Sequence, residues 1–336
     1  MKKTAYLILC LLALVACRDT ADIGQIGGES RLVVYAFPTE GDTVSISISQ
    51  LYPVSGKWQP LEVESVECAT GGAPDRIVRL ADTVYNGFAI ARCLAIGTHR
   101  CGDTVSVSVR AKGLPAAWGS TVIPGLPSVE GARLDTAVFR GTPYTVLRTA
   151  ARYTPSTPYY AVRVEARYSD AYKDEAGPLV GPLSTVFMPL EVEAEPLLAA
   201  NASADIDLGT SDSDFYRLLY TFSQPSACAD GVLHLYISSG YTGVYSAYRA
   251  QLLALSAEYN AMLRSANGSL NNTLGKYGLA FAYSTYTNVH GGYGCIGGYA
   301  EAWSAWQHST HSGSLKKMPL RCEGFAPRAR RTGSNQ

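Results

Sequence analysis

The sequence predicts a mainly β protein: a β-sandwich over residues 31–127, then a second β-rich domain with one short helix over 128–324. Three observations carry this reading. Short runs alternate apolar and polar residues, and a pleated strand sends alternate side chains to opposite faces. Gly and Pro, 32 and 17 of the 336 residues, break these runs at turn spacing. Only 17% of residues are charged, against roughly 25% in an average soluble domain, and Ser and Thr fill many of the polar strand positions.

Taken in order, Thr43-Val44-Ser45-Ile46-Ser47-Ile48-Ser49 points Val44, Ile46 and Ile48 into a core. Val105, Val107 and Val109 repeat the pattern. Pro115, Pro124 and Pro127 mark the boundary between the two β regions. Beyond it, Val162, Val164 and Ala166 alternate with Arg163, Glu165 and Arg167. Leu190, Val192 and Ala194 alternate with Glu191, Glu193 and Glu195, the wet face of a further expected strand. Leu233, Leu235 and Ile237 leave His234 and Tyr236 on the opposite face. One-sided strands suit antiparallel sheets with one wet face. Ser256 can cap a helix that continues through Ala257–Leu263, with Glu258 favourable in its first turn and Asn267-Gly268 as its expected end. Gly-Asp-Thr-Val-Ser occurs at 41–45 and 102–106 and reads as turn chemistry opening a strand. The tail over 325–336 is polar and basic.

The N-terminus carries an address. Met1-Lys2-Lys3 precedes an apolar run from Tyr6 to Ala16, shorter than the ~20 residues a membrane-spanning helix needs. Residues 1–16 therefore read as a secretion signal. Leu14-Val15-Ala16-Cys17 ends it as a lipobox would, with Cys17 receiving the lipid and residues 17–30 forming a tether. Several acyl chains anchor stably to the bilayer where one is marginal. Loss of Lys2 and Lys3 with the signal turns a balance of 28 basic against 28 acidic residues into 26 against 28, a net of −2. That balance argues against a nucleic-acid partner, which calls for a basic excess or stripe.

Of eight cysteines, Cys10 leaves with the signal and Cys17 is the lipid site. Cys68, Cys93, Cys101, Cys228, Cys295 and Cys322 remain as disulfide candidates, since an exported protein meets an oxidising compartment. Three fall in each half, so either one bridge joins the halves or two thiols stay free. Cys93 and Cys101 flank a Gly-containing turn and form the best local pair. No CxxC is present, which disfavours a zinc site of usual spacing.

Candidate chemistry is sparse. Gly292-Tyr293-Gly294-Cys295-Ile296-Gly297 matches G-x-G-x-x-G, but a dinucleotide loop needs a strand before it and a helix after it. Here it reads more simply as a close approach of backbones. His308 and His311 could share a metal if helical, although Ser309–Gly313 reads as loop. Asp205, Asp207, Asp212 and Asp214 surround Gly209 without the EF-hand order. No G-x-S-x-G or H-E-x-x-H occurs, and no cofactor is expected. Tyrosine is abundant in the second region. Tyr286, Tyr293, Tyr299, Trp303 and Trp306 are the ligand-gripping candidates, since such rings combine flat apolar area with a polar tip. Ordinary strand filling explains them more simply.

The chain also resembles a known family. After the lipobox come Leu32-Val33-Val34-Tyr35-Ala36-Phe37, Tyr52-Pro53-Val54, the 102–107 string and Thr121-Val122-Ile123-Pro124. A Tyr159-Tyr160 strand follows, then Thr287-Asn288-Val289-His290-Gly291-Gly292-Tyr293-Gly294. This order resembles the Bacteroidota lipoprotein family termed domain of unknown function 4249, over most of the mature chain. Cys295 stands where that family more usually has an apolar or aromatic residue. The resemblance implies an outer-membrane lipoprotein, on the periplasmic or cell-surface face, with an N-terminal immunoglobulin-like or carboxypeptidase-regulatory-like β-domain. It implies a non-enzymatic accessory role beside a TonB-dependent nutrient transporter, and no catalytic residues. The alternatives are a surface hydrolase of glycan or peptide using His308 and His311, and an adhesive or structural surface protein.

Overall fold

The computed structural model describes residues 29–51, 60–85, 88–153, 157–174, 177–200, 205–206, 218–223, 231–238, 244–271 and 285–308. The signal, Cys17, most of the tether, Cys228, Cys322, His311, Asp207, Asp212, Asp214 and the 325–336 tail lie outside them.

Nine strands come first: β1 (Arg31–Ala36), β2 (Gly41–Leu51), β3 (Val63–Thr70), β4 (Ala73–Pro74), β5 (Arg76–Arg79), β6 (Thr83–Tyr85), β7 (Phe88–His99), β8 (Thr104–Ala111) and β9 (Ala117–Val122). They form a β-sandwich. One sheet runs β1-β2-β7-β5, with β6 also on β7; the other runs β4-β3-β8-β9. The alternation sets the core. Val44, Ile46 and Ile48 of β2 and Val105, Val107 and Val109 of β8 are buried in one cluster with Leu32 and Val34. Burying each such side chain contributes about 1.5–3 kcal/mol before chain entropy is counted.

The second region holds β10 (Ser128–Phe139), β11 (Thr142–Arg152), β12 (Tyr159–Asp174), β13 (Gly177–Met188), β14 (Asp205–Ile206), β15 (Leu219–Ser223), β16 (Val232–Ile237) and β17 (Val244–Leu255). After these come β18 (Tyr293–Ile296), β19 (Tyr299–Trp303) and β20 (Gln307–His308). A three-stranded sheet β10-β11-β16 packs on a seven-stranded sheet β14-β15-β12-β17-β19, in which β13 joins β12 and β20 joins β17. Val162, Val164 and Ala166 meet Leu233, Leu235 and Ile237 in the core between them.

The expected strand around Leu190–Glu195 is absent. Leu190 makes one bridge to Ile237, and Val192–Ala194 is a 3-10 turn. Glu195 then caps α1 (Pro196–Ala199), accepting a hydrogen bond from the Leu197 N–H. Proline at the first helical position costs no backbone bond there, whereas a strand would lose a ladder donor. The expected helix starts where its cap placed it, with the Ser256 hydroxyl accepting from the Tyr259 N–H. This helix, α2 (Ala257–Asn271), runs past Gly268. Glycine lowers helix stability by about 1 kcal/mol but does not by itself end a helix. Two helices, not one, thus punctuate the described residues.

β18 does not join the second region's sheets. It lies parallel to β1, with Val33 opposite Tyr293 and Ala36 opposite Ile296, so the first sandwich is completed from near the far end of the chain. α2 packs beside this junction. Tyr259, Met262 and Leu263 bury against Ala161, Leu253 and Leu255 of the large sheet and against Cys295 of β18, while Phe37 stacks on Tyr259 at 4.7 Å.

The four described cysteines of the disulfide set, Cys68, Cys93, Cys101 and Cys295, are free thiols. The expected Cys93–Cys101 pair fails on geometry. β7 continues from Cys93 to His99 at roughly 3.3 Å per residue, far beyond the ~7 Å Cα limit for a bridge. Cys93 is instead a core residue opposite Ile46. Burial pushes the Cys68 thiol well up, aided by the neighbouring Asp75.

Candidate ligand-binding face

The string from Thr287 to Gly298 is a strap across the open side of the first sandwich. At one end His290 and Trp118 exchange backbone hydrogen bonds, Trp118 N–H to His290 O at 3.0 Å and His290 N–H to Trp118 O at 2.7 Å. At the other end β18 pairs with β1. The strap therefore joins the β9 edge of one sheet to the β1 edge of the other. Its glycines are there for space. Gly291 has φ +70°, and a Cβ would fall 2.1 Å from the Ala116 carbonyl oxygen. Gly294 has φ +113°, and a Cβ would fall 2.0 Å from that of Val34. The G-x-G-x-x-G match opens no helix, because strands β18 and β19 occupy the positions where a dinucleotide loop needs one.

The strap also builds a surface feature. β9 alternates buried Ala117, Gly119 and Thr121 with exposed Trp118, Ser120 and Val122. The His290 ring stacks on Trp118 with centroids 4.1 Å apart and planes at 23°, and Trp118 remains 55% exposed. On the side of Trp118 away from His290, the ladder places Ser108 and then Glu67 in the same row. Ser120 and Ser106 form the next row. These residues line a depression of about 500 Å³ on the outer face of the sheet, with Trp118 among its lining residues. Ser106 Oγ donates to the Ala69 carbonyl at 3.4 Å.

The sequence candidates fall elsewhere and in several places. Tyr286 and Tyr299 pack around α2, and burial raises the Tyr299 hydroxyl above its ordinary pKa. Tyr293 is exposed on β18. Trp303 and Trp306 lie on the large sheet, where Arg249 sits over both rings at 3.9 and 4.5 Å. Arg167 lies over Trp306 at 4.1 Å, and Arg249 also pairs with the largely buried Glu165. These indoles are packed by guanidinium groups, so they serve the sheet. His308 is exposed opposite Ala247. Among the described residues, no three His, Cys, Asp or Glu side chains gather as a metal site. Trp118 and His290 are not among the binding candidates that the sequence offers. The available signal was the outward parity of Trp118 in an otherwise small-residue strand.

Fold and face define a β-sandwich protein with an exposed aromatic wall over a hydroxyl-bearing sheet. Neither a protein-family model nor a curated protein matches the sequence. Among solved structures, the chain is similar to the Ig1–Ig3 ectodomain of mouse nectin-like molecule 4, at 11% identity and a TM-score of 0.20 over 86% of this chain and 67% of that one. It is also similar to the adhesin InvE of Yersinia pseudotuberculosis, at 14% identity and a TM-score of 0.18 over 70% of this chain, spanning 58% of that adhesin.

Proposed function

We propose that the chain is a lipid-anchored accessory protein of the outer membrane that captures a ligand without chemistry and serves a TonB-dependent transporter. The observation that carries capture is the Trp118–His290 stack. A large aromatic ring left half open beside hydroxyls is costly to leave in water and suited to a partner that is apolar on one side and polar on the other. The lipobox ending at Cys17 supports the anchor, and the strand order and the Asn288–Gly294 string support the resemblance to domain of unknown function 4249. Among the described residues no helix is long and apolar enough to cross a membrane, so in this reading membrane attachment rests on Cys17.

Two experiments test the reading. Fatty-acid labelling of Cys17→Ser should fall to background, and the protein should leave the membrane fraction; unchanged labelling removes the anchor. Purification from detergent-solubilised outer membrane should bring down a β-barrel receptor. A chain that never associates with one rejects the transporter role and leaves the adhesive alternative, read by cell-binding assays.

A further inference from the structure

We infer that the depression beside Trp118 binds a neutral polysaccharide, a sugar ring lying against the free face of the indole. The inference rests on the capture reading above and names the ligand's class. His290 covers one indole face at 4.1 Å, which braces the ring as a wall standing off the sheet. The other side of the ring borders the depression containing Ser108 and Glu67. A pyranose ring presents C–H groups on its flat faces and hydroxyls around its rim. The wall supplies a π surface for the first. The rim meets hydroxyls that donate and accept, at Ser108 and Ser120, and an acceptor at Glu67.

Charge complementarity selects the class. Among the described residues that line the depression, Glu67 alone is charged, and Arg110, two residues beyond Ser108 on β8, is exposed outside it. Glu67 opposes an anionic chain and accepts hydrogen bonds from the hydroxyls of a neutral one, and Arg110 beside the depression opposes a cationic chain. The depression is open along the sheet surface, which suits a chain rather than an enclosed small molecule. The nearest polar neighbours of the wall, Ser108 and Ser120, are small, so a ring can approach the sheet closely.

The test is native electrophoresis of the detergent-solubilised full-length protein through gels containing starch, dextran, glucomannan or xyloglucan. At least one should retard it. Trp118→Ala should weaken binding roughly tenfold or more, Trp118→Phe should keep part of it, and His290→Ala should weaken it by freeing the indole. Glu67→Gln and Ser108→Ala, both surface changes, carry the test independently should Trp118→Ala fail to fold. No retardation by any of the four polysaccharides overturns the inference. So does retardation that survives both Trp118→Ala and the Glu67→Gln/Ser108→Ala pair. Receptor co-purification separates this from the broader reading. Wild type that brings down a receptor but binds no polysaccharide sinks the sugar inference alone. Receptor association lost in Trp118→Ala without any sugar binding makes the face a protein dock instead, which also overturns it.

Discussion

Asn288 grips Ile296 from both sides of its peptide groups. Its Oδ1 accepts from the Ile296 N–H at 2.9 Å, and its Nδ2 donates to the Ile296 carbonyl at 2.8 Å. The same Nδ2 donates to the Ser120 carbonyl at 3.2 Å. One carboxamide thus replaces a stretch of missing ladder and ties the strap to β9 and β18 together. Asn288→Ala should lower unfolding free energy by about 2–3 kcal/mol, since several backbone groups lose their partner at once. Asn288→Asp should do no better, because a carboxylate has no donor for the two carbonyls. Urea unfolding of the variants checks both.

Gly294 and Gly268 should respond oppositely to alanine. At Gly294 a Cβ meets the Val34 carbonyl oxygen at 2.0 Å and the backbone is left-handed, so Gly294→Ala should cost about 3 kcal/mol or more and loosen β18. At Gly268, inside α2, nothing lies within 4 Å, so Gly268→Ala should stabilise by up to about 1 kcal/mol. Thermal midpoints should move in opposite directions, with amide exchange in β1 accelerated only in the first variant.

Arg249 should matter to stability and not to ligand capture. It covers Trp303 and Trp306 and neutralises Glu165. Arg249→Ala strands a largely buried carboxylate, which should cost about 3 kcal/mol, and should shift tryptophan emission as Trp303 loses its guanidinium cover while Trp306 keeps Arg167. If the same change abolished ligand binding in a folded protein, the functional face would lie on the large sheet instead.

Stability should fall in alkali through Cys295. Burial, with Glu258 nearby, pushes this thiol from 9.0 up to about 12. The folded state therefore holds the proton more tightly than the unfolded chain. The contribution is complete below pH 9 and is lost as pH rises from 9 towards 12. Cys295→Ala should flatten that part of the urea-midpoint profile. Tyr35, Tyr286 and Tyr299 are also raised, chiefly by burial, and because Cys295 adds to the rise at Tyr35 and Tyr286, the flattening includes a smaller share from those two hydroxyls.

Period-two patterning made most of the fold legible. Val44, Ile46 and Ile48, and likewise Leu233, Leu235 and Ile237, are buried as their alternation requires. It misled at Leu190–Ala194, where Pro196 and the Glu195 cap override the same pattern. The expected Cys93–Cys101 pair fails because spacing in sequence does not reveal that β7 stays extended to His99. The candidate face was hidden for a related reason. Trp118 and His290 are far apart in sequence and meet only because the strap crosses the sandwich, and no local pattern encodes that crossing. The abundant tyrosines drew attention to rings that the structure uses around α2.

The position of β18 has a consequence for biogenesis. Arg31 and Gly291, in contact across the closed edge, are 260 residues apart in the chain. A chain that emerges from its amino end first displays β1 with an unpaired edge long before the segment that covers it exists. Contacts of such long span close slowly, and an open edge meanwhile invites wrong partners. The first sandwich is therefore begun early and finished late, and a chain cut short before the strap would leave it with that edge exposed.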